Sequence, residues 1–302
     1  MEKGKIAFVG CGVIGAGLAA NALIAGHPTA LFDTCEISII QKRLEEILDV
    51  FVENEVLTRA QADEALKRAS YTNDLAEAVT DAIFVQESIP ERLELKQDTY
   101  RQIQTAAGAT PVIASSASNI LPTNLQEGAL HPDRILVGHP FNPSYLLPVV
   151  EIVAGKQTSP ETVAFAKETY EAMDKIAPIC RKEEIGYLVQ GINSEILQTA
   201  IRLVAEGYAS AEDVDKAIMY GPGMRLPVAG QLLTIGLGVD GGWRALAQKY
   251  IGSEAPKEYL MVADGVDEEM ANRPPELGND VESILKYRDK ALIGILRLQH
   301  RL

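Results

Sequence analysis

Short apolar runs alternate with helical patterns along the first part of the chain. Such alternation predicts an α/β domain, with a doubly wound and mostly parallel sheet covered by helices on both faces. After the second run, a helical pattern that includes RLEEILDVFVENEVL and RAQADEALKRA is long for a connection in such a sheet, which predicts an inserted helical pair. The predicted strands are residues 5–10, 29–33, 82–86, 111–114, 134–139, 149–153 and 177–180, and the predicted helices include residues 13–25, 91–106 and 161–173.

The pattern becomes almost wholly helical after the last predicted strand. Ser210 and Asp213 have the spacing of a capping box at one helix start, and two prolines precede a last predicted helix at residues 281–298. We therefore predict two domains, residues 1–184 and residues 185–302, of which the second is all-α. No Gly/Ser-rich linker separates them in the sequence, so the second domain is expected to be docked rather than tethered.

Composition indicates a globular protein and narrows its partners. Hydrophobic residues make up 47% and charged residues 23% of the 302 positions, which argues against disorder. The formal net charge of -14 argues against nonspecific nucleic-acid binding, which needs Lys and Arg. We expect no membrane span and a cytoplasmic location, because the sequence has neither a long apolar run nor an apolar signal segment. The scattered Cys11, Cys35 and Cys180 indicate reduced thiols and no metal site.

A glycine-rich turn follows the first predicted strand and begins the first predicted helix. Its GxGxxG spacing in this context is the dinucleotide-binding fingerprint of a Rossmann-like domain. The first glycine permits the tight turn, the second lets the backbone approach a pyrophosphate, and the third allows close packing of helix on strand. The helix N-terminus supplies unpaired N–H groups for the phosphates. The predicted cofactor-binding residues of this turn are Gly10, Gly12, Val13, Ile14 and Gly15.

Asp33 ends the second predicted strand, where a dinucleotide-binding domain meets the adenosine ribose. A carboxylate there accepts hydrogen bonds from both ribose hydroxyls and repels a 2′-phosphate, so NAD is predicted in preference to NADP. Two alternatives remain, since S-adenosylmethionine enzymes also place an acid after their second strand and a tight glycine turn can lack a ligand. The order of strand, turn, helix, strand and acid favours an NAD-binding domain.

His139 has the context for catalysis that the other three histidines lack. It ends a predicted strand and leads into a Pro-Phe-Asn-Pro loop, and open α/β sheets bind ligands at the carboxyl ends of their strands. Glu151 interrupts the apolar run VVEIV, where a buried carboxylate needs a partner. Pairing with His139 would orient the imidazole and stabilise its protonated form, as a base in hydride transfer requires.

Three segments of the sequence are informative about the family, namely QESIPERLELK, ASSASNILP and GHPFNPSYLLPVVEIV. Together with the helical segment after Gly186, they resemble the 3-hydroxyacyl-CoA dehydrogenase family over most of the chain. The sequence Gly-His-Pro-Phe-Asn-Pro is similar to the branch of that family that contains L-carnitine dehydrogenase and L-gulonate 3-dehydrogenase (lambda-crystallin). The resemblance implies that residues 1–184 bind NAD and that residues 185–302 form a helical substrate and dimerisation domain.

The resemblance also implies roles for individual residues. The family's catalytic histidine corresponds to His139 and its partner glutamate to Glu151. The substrate-contacting serine corresponds to Ser118, for which a helix cap is the structural alternative, and the loop asparagine corresponds to Asn142.

Two charged residues are implied near the nicotinamide half of the cofactor. These are Glu91 and Lys96, within the QESIPERLELK segment. The alternative for both is a solvated helix start, a common position for charged side chains.

The sequence departs from the family where the helical domain begins. The family has Gly-Phe-Ile-x-Asn-Arg, whose asparagine contacts the reacting oxygen, whereas this chain has Gly-Tyr-Leu-Val-Gln-Gly. Gln190 therefore takes the asparagine position with an amide that is one methylene longer, and Gly191 takes the arginine position. Asn193, one turn later, is a possible substitute for the family asparagine.

The expected function is NAD-dependent interconversion of a small 3-hydroxy acid and its 3-keto form, by a homodimer. Carnitine, gulonate and 3-hydroxybutyrate remain open as substrates. The alternatives are a dehydrogenase for CoA thioesters and an NAD-binding structural protein without turnover. Arg225 is the candidate for binding a substrate carboxylate, with an ion pair as its alternative. The candidates for an aromatic face around a quaternary ammonium, or else for core packing, are Phe141, Tyr145, Tyr187 and Trp243.

Overall fold

The structure is a computed structural model that describes residues 3–251 and 257–302. The chain forms two compact units, which divide between Ser194 and Glu195. The first unit contains a sheet flanked by helices, and the second is helical. The domain boundary predicted after residue 184 lies before this division, and it stays a prediction.

An eight-stranded sheet forms the centre of the first unit, in the order β3-β2-β1-β4-β5-β6-β7-β8. Neighbouring strands are parallel except for β6 and β7, which pair antiparallel. The mostly parallel sheet predicted from the alternating pattern is confirmed. The strands are β1 (Lys5–Val9), β2 (Thr29–Phe32), β3 (Ala69–Thr72), β4 (Ala82–Glu87), β5 (Val112–Ser115), β6 (Ile135–Pro140), β7 (Val150–Ala154) and β8 (Ile179–Cys180).

Helices cover both faces of this sheet. The side chains of β1 alternate between two hydrophobic clusters, with Ile6 and Phe8 in one and Ala7 and Val9 in the other. Such two-sided burial explains why the strands are continuous apolar runs. The predicted inserted pair is present as α2 and α3. The helices of this unit are α1 (Val13–Ile24), α2 (Ile37–Glu53), α3 (Arg59–Leu66), α4 (Leu75–Val79), α5 (Leu93–Ala107), α6 (Pro122–Leu125) and α7 (Pro160–Ala172).

A long helix, α8 (Val189–Ala205), begins in the first unit and continues into the second. Ser210 caps α9 by accepting the N–H of Asp213 at 3.1 Å, as its spacing predicted. The last helix has the bounds predicted for it. None of the described helices is both long and apolar enough to cross a membrane. The remaining helices are α9 (Ala211–Tyr220), α10 (Pro222–Arg225), α11 (Gln231–Leu237), α12 (Gly242–Ile251), α13 (Lys257–Asn272) and α14 (Val281–Leu298).

Candidate active site

The antiparallel pairing of β6 with β7 brings His139 and Glu151 together. The two residues are direct cross-strand partners, so their side chains project from the same face of the sheet. His139 Nδ1 lies 3.1 Å from Glu151 Oε2, with the glutamate fully buried and the histidine 7% exposed. Because an ionised carboxylate only accepts hydrogen bonds, Nδ1 carries the proton and Nε2 presents a lone pair. The pair is therefore oriented to accept a proton at Nε2.

The other oxygen of the Glu151 carboxylate holds the start of α8. Oε1 accepts the main-chain N–H of Leu188 at 2.9 Å and that of Val189 at 2.5 Å. N–H groups at a helix start have no partner within the helix, and the helix dipole favours a negative charge there. The buried carboxylate oxygen that faces away from the imidazole therefore has hydrogen-bond donors of its own.

Two aromatic rings lie edge-on against the His139 imidazole. The ring of Phe141 has its centroid 4.7 Å away, and that of Tyr187 lies 5.5 Å away. The other two aromatic candidates pack elsewhere. Tyr145 meets Phe51 edge-on in the core of the first unit, and Trp243 donates its Nε1–H to the Leu232 carbonyl in the second unit. For Tyr145 and Trp243, the core-packing alternative is thus the one observed.

The Ser118 loop is held from two sides. The Glu91 carboxylate accepts the N–H and the hydroxyl of Ser118, at 2.8 and 2.9 Å, and the N–H of Asn119 at 2.5 Å. On the other side, the Tyr187 hydroxyl donates to the Ile120 carbonyl at 2.8 Å. Burial raises the pKa of Glu91, but the hydrogen bonds from Asn119 and Ser118 outweigh it and leave that pKa below its usual range.

Ser118 does not cap a helix, so that alternative is wrong. The next helix, α6, begins at Pro122 with Leu121 at the N-cap position, and no side chain caps it. Ser118 instead lies in the loop after β5, at the carboxyl edge of the parallel strands. Open α/β sheets bind ligands at that edge.

Lys96 is buried rather than at a solvated helix start. It is 1% exposed, and its ammonium donates to Glu87 Oε1 at 2.6 Å and to the Ile89 carbonyl at 3.2 Å. Glu87 Oε2 accepts hydrogen bonds from Tyr100 and Ser115 as well. A buried ion pair with these extra hydrogen bonds fixes the segment that follows β4. The implied place of Lys96 near the nicotinamide stays a prediction.

The geometry of the glycine turn fits a dinucleotide. Gly10 has φ +92°, in the region that favours glycine, and a Cβ atom on Gly15 would collide with the Gly10 carbonyl oxygen. A Cβ on Gly12, by contrast, would meet nothing within 4 Å, so space remains in front of the turn. Gly12 is the N-cap of α1 and no side chain caps that helix, which leaves N–H groups at its start for a pyrophosphate.

Asp33 is fixed beside this turn. Its Oδ2 accepts the N–H of Cys11 at 2.7 Å, and its Oδ1 accepts the N–H of Thr34 at 2.7 Å. Oδ1 also accepts the N–H of Cys35 at 3.3 Å, so of the two oxygens it is Oδ2 that retains a lone pair for a ribose hydroxyl. Burial, then the negative charge of Asp33, raises the pKa of the Cys11 thiol, which therefore stays neutral. The three cysteines are free thiols.

Four of the predicted site residues have exposed side chains in the unit to which each belongs. Gln190 and Asn193 are exposed on α8, and a side chain at Gly191 would meet nothing within 4 Å. Asn142 is exposed in the loop after β6. Arg225 belongs to the second unit, where it is exposed at the end of α10.

Comparison with known proteins identifies the family. The family model described as "3-hydroxyacyl-CoA dehydrogenase, NAD binding domain" matches residues 5–184, and its C-terminal domain model matches residues 186–276. The chain belongs to the 3-hydroxyacyl-CoA dehydrogenase family. It is therefore an NAD-dependent oxidoreductase, and NAD is its cofactor.

Similar proteins include L-carnitine dehydrogenases. The one from Bacillus cereus is 33% identical over 97% of this chain and 92% of its own length. The one from a Pseudomonas species is 35% identical over 96% of this chain and 92% of its own length. These relatives support dehydrogenation of a 3-hydroxy acid by this chain.

Solved structures agree with this assignment. The structure of FadB2 from M. tuberculosis has a TM-score of 0.68 at 26% identity, and covers 92% of this chain and 91% of FadB2. The 3-hydroxyacyl-CoA dehydrogenase of Archaeoglobus fulgidus has a TM-score of 0.70 at 26% identity, and covers 99% of this chain and 100% of that enzyme. The Rossmann-like domain followed by a helical domain is confirmed.

Proposed function

We propose that this protein interconverts a small free 3-hydroxy acid and its 3-keto form, with His139 as the catalytic base. The observation that carries the proposal is the buried His139–Glu151 pair, 3.1 Å apart, whose Nε2 is left free to accept a proton. It lies at the edge of the sheet where this fold binds its ligands.

In the direction of oxidation, His139 Nε2 accepts the proton of the substrate hydroxyl. Bound NAD supplies the acceptor for the hydride that leaves the same carbon. Glu151 stabilises the imidazolium that forms, and the N–H groups of Leu188 and Val189 keep its carboxylate in place. General-base assistance of this kind is typically worth about a hundred- to ten-thousandfold in rate.

Ser118 and Gln190 are the proposed contacts of the reacting oxygen. The Ser118 hydroxyl donates to Glu91 Oε2, so it must rotate away from Glu91 to donate to a substrate oxygen. Gln190 keeps an amide donor at the position where the family has asparagine. Glu91 and Lys96 are proposed to position the segments that border the nicotinamide, through the Ser118 loop and the Ile89 carbonyl respectively.

Cofactor binding is proposed to use the turn from Gly10 to Gly15 for the pyrophosphate and Asp33 for the adenosine ribose. The open space at Gly12 and the uncapped start of α1 support the first assignment. The unused lone pair of Asp33 Oδ2 supports the second. No phosphate-binding cation is needed at Asp33, since NAD lacks a 2′-phosphate.

For the substrate, we propose a free acid whose carboxylate binds Arg225, and Asn142 is a second proposed substrate contact. The L-carnitine dehydrogenase relatives favour a substrate that also carries a quaternary ammonium. Phe141 and Tyr187, which border His139, are the aromatic residues available to such a cation. The net charge of -14 also favours a substrate with a positive group over a polyanionic CoA ester.

The test is a screen of NADH formation at alkaline pH with L-carnitine, gulonate, 3-hydroxybutyrate and 3-hydroxybutyryl-CoA. Turnover of a free acid with kcat/KM well above that of the CoA ester supports the proposal. Preference for the CoA ester would make the chain a CoA-thioester dehydrogenase instead. NADH binding without turnover of any of them would favour the structural, crystallin-like alternative.

We also propose a homodimer in the cytoplasm. Ile196, Leu197 and Ile201 on α8 are each more than 40% exposed, and Ile196 also lines a largely apolar groove of about 600 Å³ between α8 and α9. Exposed apolar surface of this extent marks an interaction site. Free thiols fit a reducing compartment. Sedimentation that gives a monomer at micromolar concentration would refute the dimer.

A further inference from the structure

A cavity of the first unit lies outside the site described above. It has a volume of about 330 Å³ and is bounded by the ends of α1, α2 and α7 and by the loop before β7. That volume is at the lower end of the range for small-molecule sites. Its apolar walls include Ile24, Phe51, Leu57, Tyr145 and Met173.

Lys175 lines this cavity as a buried cation without a counter-ion. It is 5% exposed, and its ammonium donates to the carbonyls of Ser144 at 2.6 Å and Leu147 at 3.2 Å. An ammonium has three N–H donors, so one remains. Within the described residues no carboxylate forms an ion pair with it. Burial lowers the pKa of Lys175 to about 8, although the exposed Asp174, which also lines the cavity, opposes the shift.

Asn21 lines the same cavity with an unused acceptor. Its Oδ1 is buried and has no hydrogen-bond partner in the described part of the chain, while its Nδ2 donates to the Tyr145 carbonyl at 3.2 Å. A buried polar atom without a partner costs free energy, as does a buried charge without one. Both side chains line one cavity, so a ligand bound there would be close to both groups.

We propose that this cavity binds a small hydroxylated organic acid. The ligand carboxylate pairs with the remaining N–H of Lys175, and the ligand hydroxyl donates to Asn21 Oδ1, which is closed to solvent and must turn toward the cavity to accept it. The carbon skeleton packs against the apolar walls. A charge-assisted hydrogen bond in a low-dielectric cavity provides most of the affinity, and the hydroxyl provides selectivity.

The position of the cavity connects it to the active site. Lys175 holds the loop that continues directly from Phe141 and Asn142, and Ser144 in that loop donates to the Ile14 carbonyl of the cofactor turn at 2.9 Å. A ligand that pairs with Lys175 therefore stabilises the segment between His139 and the cofactor helix.

The test is calorimetric titration of the full chain with 4-hydroxyphenylacetate, phenylacetate and 4-hydroxyphenylethanol. None of these is a 3-hydroxy acid, so the outcome does not depend on the proposed function. We expect 4-hydroxyphenylacetate to bind most tightly, phenylacetate several-fold more weakly, and the alcohol, which lacks a carboxylate, weakest of all. Equal affinity for all three, or no binding at millimolar concentration, overturns the proposal.

Variants then assign the binding to Lys175 and Asn21. Lys175→Met should weaken 4-hydroxyphenylacetate by about tenfold or more, as expected for a lost charged hydrogen bond. Asn21→Leu should remove the advantage of 4-hydroxyphenylacetate over phenylacetate. The matched control is Lys167→Met, which deletes a half-exposed lysine of α7 that pairs with Glu171 and should leave binding unchanged. Wild-type affinity in Lys175→Met would refute the site.

A third variant covers the case in which Lys175→Met fails to fold. Ala172 is exposed at the wall of the cavity, so Ala172→Trp fills the space without disturbing the core. It should abolish binding of 4-hydroxyphenylacetate while NADH affinity is retained. Retained binding in Ala172→Trp would place the probe elsewhere and overturn the proposal.

Discussion

Glu151 accepts the main-chain N–H of Val189 at 2.5 Å through one carboxylate oxygen, while the other oxygen faces His139. One side chain thus orients the proposed base and holds the start of the helix that leads into the second unit. Substitutions of the two members of the pair should therefore differ in their effect on stability.

For His139→Gln, we expect loss of turnover by about a hundred- to ten-thousandfold, since the base is removed. NADH affinity and the melting temperature should change little, because the cofactor residues do not involve His139. Steady-state kinetics and NADH fluorescence titration measure the two effects. Substantial turnover in this variant would contradict the role of His139 as base.

For Glu151→Gln, we expect a loss of both turnover and stability. A glutamine has a single acceptor oxygen, so it cannot serve both the imidazole and the N–H groups of Leu188 and Val189. The charge-assisted hydrogen bonds lost at this buried position should cost about 1–3 kcal/mol in the free energy of unfolding. Denaturant unfolding of Glu151→Gln and of His139→Gln compares their free energies of unfolding. Equal stability of the two variants would contradict the role of Glu151 in holding the start of α8.

Two glycines of the cofactor turn should respond differently to alanine. Gly12→Ala introduces no collision within the protein, so it should fold normally and weaken NADH binding by about tenfold or more. Gly15→Ala forces its Cβ against the Gly10 carbonyl and should lower the free energy of unfolding by about 1–3 kcal/mol. Thermal melts and NADH titration separate the effects. Normal NADH affinity in Gly12→Ala would argue against the pyrophosphate site.

Tyr187→Phe tests the support of the Ser118 loop. The ring against His139 remains, but the hydrogen bond to the Ile120 carbonyl is lost, worth about 1 kcal/mol or about fivefold. We expect kcat/KM for the hydroxy acid to fall by about fivefold, while the NADH affinity and the pH profile stay unchanged. Tyr208→Phe, at a hydroxyl-bearing side chain that is 73% exposed, is the control. Equal kinetics in both variants would mean that the loop does not need this bond.

The pKa of Lys175 predicts a pH dependence of stability. Because burial lowers that pKa to about 8, the unfolded chain holds one more proton than the folded chain between about pH 8 and pH 10. Lys175 therefore destabilises the fold below its folded pKa, and this penalty disappears as the pH rises through that interval. Unfolding free energies at pH 7 and pH 9.5 should rise more steeply for the wild type than for Lys175→Met. Equal slopes would contradict the shift.

Much of the fold followed from periodicity and turn chemistry. The strand ending in Gly10, the inserted helices and the last helix were all identified from local patterns. β3 was missed because its four residues are only partly buried and lack an apolar run. The helices α12 and α13 lie in the part of the chain predicted to be almost wholly helical, but their bounds were not predicted, because their mixed composition carries a weak signal.

The pairing of His139 with Glu151 could be expected from the cost of a buried carboxylate, but its geometry depends on the antiparallel pairing of β6 and β7. The surroundings of Ser118 and Lys96 could not be predicted, since they depend on residues far apart in the chain. Glu91, 27 positions before Ser118, is one example. Burial of Lys96 beside Glu87 also required knowledge of how α5 packs on the sheet.

The reversal of β7 has a consequence for insertions and deletions. Side chains of a strand alternate between faces, so a slip of one residue in the pairing of β6 with β7 would turn Glu151 to the opposite face of the sheet. The loop between these strands can change its length only if the strands keep their alignment. Every second residue of the five-residue strand β7 faces the same side of the sheet. Whether Glu151 meets His139 therefore depends on the alignment of the two strands more than on the sequence of the loop.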